Sequence, residues 1–119
     1  MINALHIIGQ IILGGFFIYN GLKHLKDRND YAAYANSLKV PAPKFAVIFT
    51  GILLLVGGLG ILLNNHVNGA IILLTIFLIP TSFTAHAFWK AQNPGERSSQ
   101  KIAFLKNMAI LGALFLLVA

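Results

Sequence analysis

Cysteine is missing from all 119 positions, so disulfides, thiolate metal sites and any thiol relay carried by this chain are excluded. Acids are scarce, three against nine Lys and Arg, and none falls inside an apolar run. That removes an intramembrane acid pair for proton transfer, and no i, i+4 histidine pair with a carboxylate offers a metal site. No Gly-rich phosphate loop follows a strand. Charge of either sign is low: 10% of residues are charged and 57% hydrophobic, where soluble domains run near a quarter charged and about half apolar. A chain this short has too little polar residue to cover its surface in water. It reads as one integral membrane domain, residues 1–119.

A helix crossing the hydrocarbon needs roughly 20 mainly apolar residues. Four segments qualify, residues 2–22, 45–63, 67–89 and 102–119. Strands would leave amides unpaired in lipid, and four short segments cannot close a barrel, so the fold class is all-α. The first segment has no basic leader or small-residue cleavage site, and Lys23, Lys26 and Arg28 follow it; it is expected to be a retained helix. The expected object is an antiparallel, up-down four-helix bundle with a short interfacial helix between its first two spans. Asp30 is placed to cap that helix, with Tyr31, Tyr34, Ala35 and Leu38 on one face, and Pro41 and Pro43 stop it. Asn93-Pro94 with Glu96 forms a capping signature that should start the last helix before it enters lipid.

Lys23, Lys26, Arg28, Lys39 and Lys44 surround the first connection, and Lys90, Arg97, Lys101 and Lys106 the third, while Asn64-Asn65-His66-Val67-Asn68 carries no Lys or Arg. Basic residues stay on the cytoplasmic side, which predicts cytoplasmic long connections and both termini outside. The net charge of +6 is thus a topology signal that needs no nucleic acid to explain it. The Lys23 to Lys44 stretch, with Tyr31 and Tyr34, is a candidate surface for anionic lipid or a protein partner.

Polar residues within spans are expected to face protein. Asn3, His6, Gln10, Leu13, Phe17, Asn20 and His24 form one seam, and Asn68, Ile72, Thr75, Ile79, Ser82, His86 and Trp89 another. Gly14 with Gly21, Gly51 with Gly58, and Ala109 with Ala113 are small residues at same-face spacing that let helices approach. Pro80 frees the Ile76 carbonyl, and Thr75, Thr81, Ser82 and Thr84 are near enough to satisfy it. His24 and His86 should lie near the inner interface, His6 and His66 near the outer one. Such pairs can ligate haem, bind a metal or hold quinone carbonyls; the plainer reading is that Asn, Gln and edge histidines are interhelical glue. Trp89 before Lys90 also suits an interfacial anchor. The candidate ligand residues are His86, His24, Trp89, Ser82, Asn20, Gln10 and His6, with no metal set among them.

His86-Ala87-Phe88-Trp89, Asn93-Pro94, Glu96-Arg97 and the block from Phe104 to Gly112 resemble the C-terminal half of the DoxX family of small four-helix membrane proteins. Tyr19 to Leu25, Val40-Pro41 with Pro43, and Gly57-Gly58 are similar to its first half, so the resemblance spans essentially the whole chain. Asn20 stands where many members have His, His24 where many have Lys, and Leu54 near a common helix-two Glu. The resemblance implies a bacterial inner-membrane protein, in some members tied to quinone-linked respiratory or oxidant-defence complexes. Two functions stay open: an accessory subunit of a membrane redox complex holding quinone or haem, or a non-enzymatic adaptor, chaperone or assembly factor presenting its basic inner surface to a protein partner or a second copy.

Overall fold

The computed structural model describes residues 4–118 and is all-helical throughout. Helix α1 is Ala4–Lys26, α2 Arg28–Ser37, α3 Pro43–Leu62, α4 Val67–Thr84 and α5 Pro94–Phe115, with a 3-10 turn at Phe88–Lys90 before α5. Ile2, Asn3 and Ala119, included in the expected spans and seam, lie outside the described residues. Among the described residues three segments are long and apolar enough to cross a membrane: Ala4–Lys26, Pro43–Leu62 and Val67–Lys90. Helix α5 is not among them, because its first turns are the polar run Glu96 to Lys101. Large apolar side chains cover the outside, Leu5 being 77% and Phe45 70% exposed, an arrangement suited to lipid as solvent.

Glycine sets the helix contacts. A Cβ on Gly14 would stand 2.8 Å from the Leu62 amide nitrogen, and one on Gly21 2.9 Å from the Gly51 carbonyl, so α1 and α3 touch backbone to backbone along their length. Lipid tails are as apolar as leucine, so burying apolar surface between helices gains little hydrophobic energy; close fit and dispersion hold the pair. Gly57 receives Leu74, fully buried, and this knob seats α4 on α3. Phe17, Leu54, Ile61, Ala70, Ile71, Leu74, Leu78 and Leu114 make one core, to which α5 contributes the last. The molecule measures 49 × 29 × 19 Å, its long axis exceeding the roughly 30 Å hydrocarbon thickness.

Several expectations need correction. Ala109 and Ala113 are exposed and mediate no close approach; α1 and α5 make no backbone contact and leave a groove between them. Of the expected α4 seam only Ser82 is buried: Asn68, Ile72 and Ile79 face outward, and the buried face is made by Ala70, Ile71, Leu74 and Leu78 with Ser82, the helix being turned so that Leu74 fits against Gly57. Asp30 does not cap α2. The chain leaves α1 through the single residue Asp27, so α2 starts at Arg28 and Asp30 falls in its first turn. The α4 helix stops at Thr84 rather than running to residue 89. Its hydroxyls bond other carbonyls than that of Ile76: Thr75 donates to Ile71 O, Ser82 to Leu78 O and Thr84 to Pro80 O, at 2.7, 2.7 and 2.8 Å.

Other expectations hold. Ala42 turns left-handed with φ 45° between Pro41 and Pro43, and α3 starts at Pro43. Asn93 Oδ1 accepts from the Glu96 amide at 2.7 Å, with Pro94 opening α5.

Candidate functional site

At the end of the molecule that carries α2, the first turns of α3 and the last turns of α4 border a common gap. The apolar face of α2 closes over the gap. The result is a cavity of about 360 Å³ lined by His24 from α1, Tyr31, Tyr34 and Leu38 from or next to α2, Thr50 from α3, and Phe77, Pro80, Thr81 and His86 from or beyond α4. The two histidines, 62 positions apart in sequence, thus share one wall system. Its size sits at the lower end of small-molecule sites, and its composition, apolar with a few convergent polar groups, is typical of them.

Both rings are held at Nδ1. His24 Nδ1 donates to the Asn20 carbonyl at 2.9 Å, one helical turn back, and its ring packs between Tyr31 and Phe77 with centroids 4.5 and 5.6 Å away. His86 Nδ1 donates to Gln100 Oε1 at 2.9 Å, reaching across the 3-10 turn to α5. A neutral imidazole that donates at Nδ1 keeps Nε2 as an acceptor. Tyr34 Oη donates to the Ala85 carbonyl at 2.8 Å and stands 3.5 Å from Gln100 Nε2, so α2, the end of α4 and α5 are tied at one point. Tyr31 and Thr81 hydroxyls take no hydrogen bond from the described residues and are available to a bound molecule.

The remaining candidates fall elsewhere. Trp89 is not in the cavity: the chain leaves helix α4 at Thr84, and the turn packs Trp89 against Phe83, Phe88 and Phe104 at 5.2 to 5.9 Å. Ser82 is fully buried and committed to Leu78 O. Asn20 donates to Phe16 O at 2.8 Å and faces a separate hollow. Gln10 is 4% exposed and donates to Ile61 O and Asn64 Oδ1 at 3.2 and 3.0 Å, tying α1 to the far connection. His6 lines the α1/α5 groove.

On the surface, Lys23 pairs with Asp27 at 3.3 Å and Arg28 Nη1 donates to Leu25 O, while Lys26, Lys39 and Lys44 are exposed and make no ion pair among the described residues. Among the described residues no group of three His, Cys, Asp or Glu could hold a metal. Gln100 and Phe77 went unnoticed in the sequence, and Thr81 stands there only as a backbone partner beside Pro80 and not as a cavity residue; a glutamine in the polar first turns of a helix carries no signal that it meets a histidine fourteen residues away.

No curated protein and no solved structure shows significant similarity to this chain. A family model described as DoxX matches residues 5–87, from the start of α1 to the residue after His86, and so excludes the Phe104 to Gly112 block that resembles the same family. With the greater part of its length matched, the chain belongs to the DoxX family of membrane proteins.

Proposed function

We propose that this protein is an accessory subunit of a quinone-linked or oxidant-defence redox complex in the bacterial inner membrane. It acts there as an antiparallel four-helix bundle with α5 as the fourth span, α2 at the cytoplasmic interface and both termini outside. The observation that carries the reading is the convergence of His24 and His86 on one cavity with Tyr31 and Thr81 hydroxyls at hand. A single substituted quinone ring suits about 360 Å³, whereas a porphyrin is too large for it. His24, His86 and Tyr31 would hold the ring's oxygens, and a bound quinone would supply two-electron, two-proton chemistry. With Nδ1 occupied on both histidines, each Nε2 accepts, which favours the hydroxyls of the reduced ring over the carbonyls of the oxidised one. Tyr31 can donate to either.

The test is extraction and mass spectrometry of protein purified from native membranes, with titration of a short-tailed quinol analogue. Stoichiometric quinone, no haem spectrum, and about 2- to 10-fold weaker analogue binding in His86→Ala and His24→Ala are expected, the range that follows from losing one hydrogen bond. Empty protein whose analogue binding ignores both substitutions sinks the proposal.

A second reading rests on Lys26, Lys39 and Lys44, exposed and without ion pairs around α2. An adaptor would use them to meet an acidic partner protein or a second copy of this chain. Replacing the three by Gln would then release a co-purifying protein while leaving analogue binding untouched.

A further inference from the structure

The His24–His86 cavity, roofed by α2, reaches the side of the molecule between α3 and α4: two of its lining residues, Pro80 and Thr84, are exposed. Phe49 and Ile76 close by in sequence are 49% and 52% exposed, so the surface around this opening is apolar and suited to lipid. Further along the same helix pair lies a second hollow, of about 540 Å³, lined by Val56 and Leu59 of α3 and by Gly69 and Leu73 of α4, with Asn65 and His66 at its far end.

The two hollows share one face of α4. Gly69, Leu73, Phe77, Pro80 and Thr84 follow one another at spacings of four, four, three and four. The first two belong to the second hollow and the last three to the cavity. Leu73 and Phe77, where one lining passes into the other, are about one turn apart. On α3 the cavity ends at Thr50 and the hollow begins at Val56, with only apolar residues between them. The helices touch on adjacent positions, Leu74 against Gly57 and Ala70 against Gly60. Gly69 takes no part: a Cβ there would meet nothing within 4 Å, so its missing side chain serves no helix contact and keeps the hollow open.

The polar groups, His24, His86, Tyr31 and Thr81, all stand in the cavity at the α2 end. From there an apolar face of roughly 16 Å, Pro80 to Gly69 at 1.5 Å per residue, leads toward the other end of α4. A polar ring joined to a long apolar tail has the same polarity. We infer, resting on the quinone reading of the cavity, that its ligand is a polyprenyl quinol that enters sideways between α3 and α4 and leaves its tail lying along α4 from Pro80 to Gly69. The apolar path begins at the ring site, and this continuity selects a tail attached to the ring over an unconnected acyl chain. Lipid solvates an isoprenoid as well as leucine does, so the groove adds little affinity and instead fixes where the tail lies. The signature to seek is position, not tightness.

Photolabelling of the whole chain in vesicles of phosphatidylglycerol and phosphatidylcholine reads that position. The probe is a quinol analogue with a diazirine on its tail at the same distance from the ring, and labelled residues are mapped by mass spectrometry. Label should concentrate on Val56, Gly69 and Leu73 above lipid-facing Leu5 and Ile72, and an excess of the short-tailed quinol analogue should abolish it by filling the cavity. Gly69→Phe should remove the label from this face while short-tailed analogue binding stays unchanged. Val56→Trp, at a half-exposed position with room for the larger ring, should do the same and decides the matter if Gly69→Phe does not fold. Label spread evenly over Leu5, Ile72 and the groove, label that survives the short-tailed competitor as an acyl-chain groove would allow, or label indifferent to the substitutions overturns the inference. If the short-tailed analogue binds and the tail label lies elsewhere, the tail path alone is lost; if that analogue does not bind, the ring site and the tail path fall together.

Discussion

Gly14 and Gly58 meet across α1 and α3 with no side chain between them: a Cβ on Gly14 would stand 2.9 Å from the Gly58 carbonyl oxygen, and one on Gly58 3.0 Å from that of Gly14. The atoms that would be struck are backbone, so relief requires one helix to move. Gly14→Ala is expected to destabilise the protein by about 1–3 kcal/mol, the usual cost of overpacking. Gly15→Ala, one residue on and open to space, should be neutral or slightly stabilising. Thermal unfolding of both in one detergent checks the contrast; equal effects would mean that α1 and α3 are not in this contact.

Gln10 donates to Ile61 O and Asn64 Oδ1 at the opposite end from the cavity. Water-based intuition would assign such a buried pair a large effect. In a membrane the unfolded helices also find partners, and measured interhelical hydrogen bonds average about 0.6 kcal/mol with a maximum near 1.7. Gln10→Leu is expected within that range. Hydrogen exchange should quicken at Asn64 to His66 and not in α2; a uniform rise would show that the bond is not local in its effect.

Tyr34 fastens α2 through Ala85 O. Tyr34→Phe removes one donor, a net loss of about 0.5–1.5 kcal/mol, and should speed amide exchange in residues 28–37 while α1 and α3 stay protected. Gln100→Leu acts on the same knot differently, freeing the His86 ring. Analogue affinity in His86→Ala, Gln100→Leu and the double variant should be non-additive, because both substitutions disable one ring. Additive losses would show that Gln100 does not position His86.

The α1/α3 contact was legible because Gly14, Gly21, Gly51 and Gly58 repeat at same-face spacing, and nothing but close approach rewards that pattern in lipid. The α4 face was misread for an equally physical reason. Thr75 satisfies its hydroxyl on its own helix at Ile71 O, so it can stand anywhere around the helix, and the face that packs is written in Leu74, fitted to Gly57, and in Leu78 beyond it, which carry no polar mark. His24 and His86 could be placed at one end by counting turns. That α2 roofs them into one cavity depends on the turn at Asp27 and on Tyr34 finding Ala85 O, neither of which sequence spacing encodes.

Pro80 separates stability from binding. It leaves the Ile76 carbonyl without its helical donor, and the nearby hydroxyls are engaged elsewhere, so Pro80→Ala supplies a missing amide hydrogen bond within α4. The same ring, with Phe77, Thr81 and Thr84, forms one wall of the cavity. A proline ring inside a helix crowds the preceding turn and tends to bend it, so restoring the amide at residue 80 should re-aim Thr81 and move the segment that delivers Ala85 and His86. Thermal stability in detergent should therefore hold or rise while quinol-analogue affinity falls, the trade expected where a strained element shapes a site. If both fall together, the proline is a packing element. If affinity alone is unchanged, the cavity wall owes nothing to Pro80 and its shape is set by α2 instead.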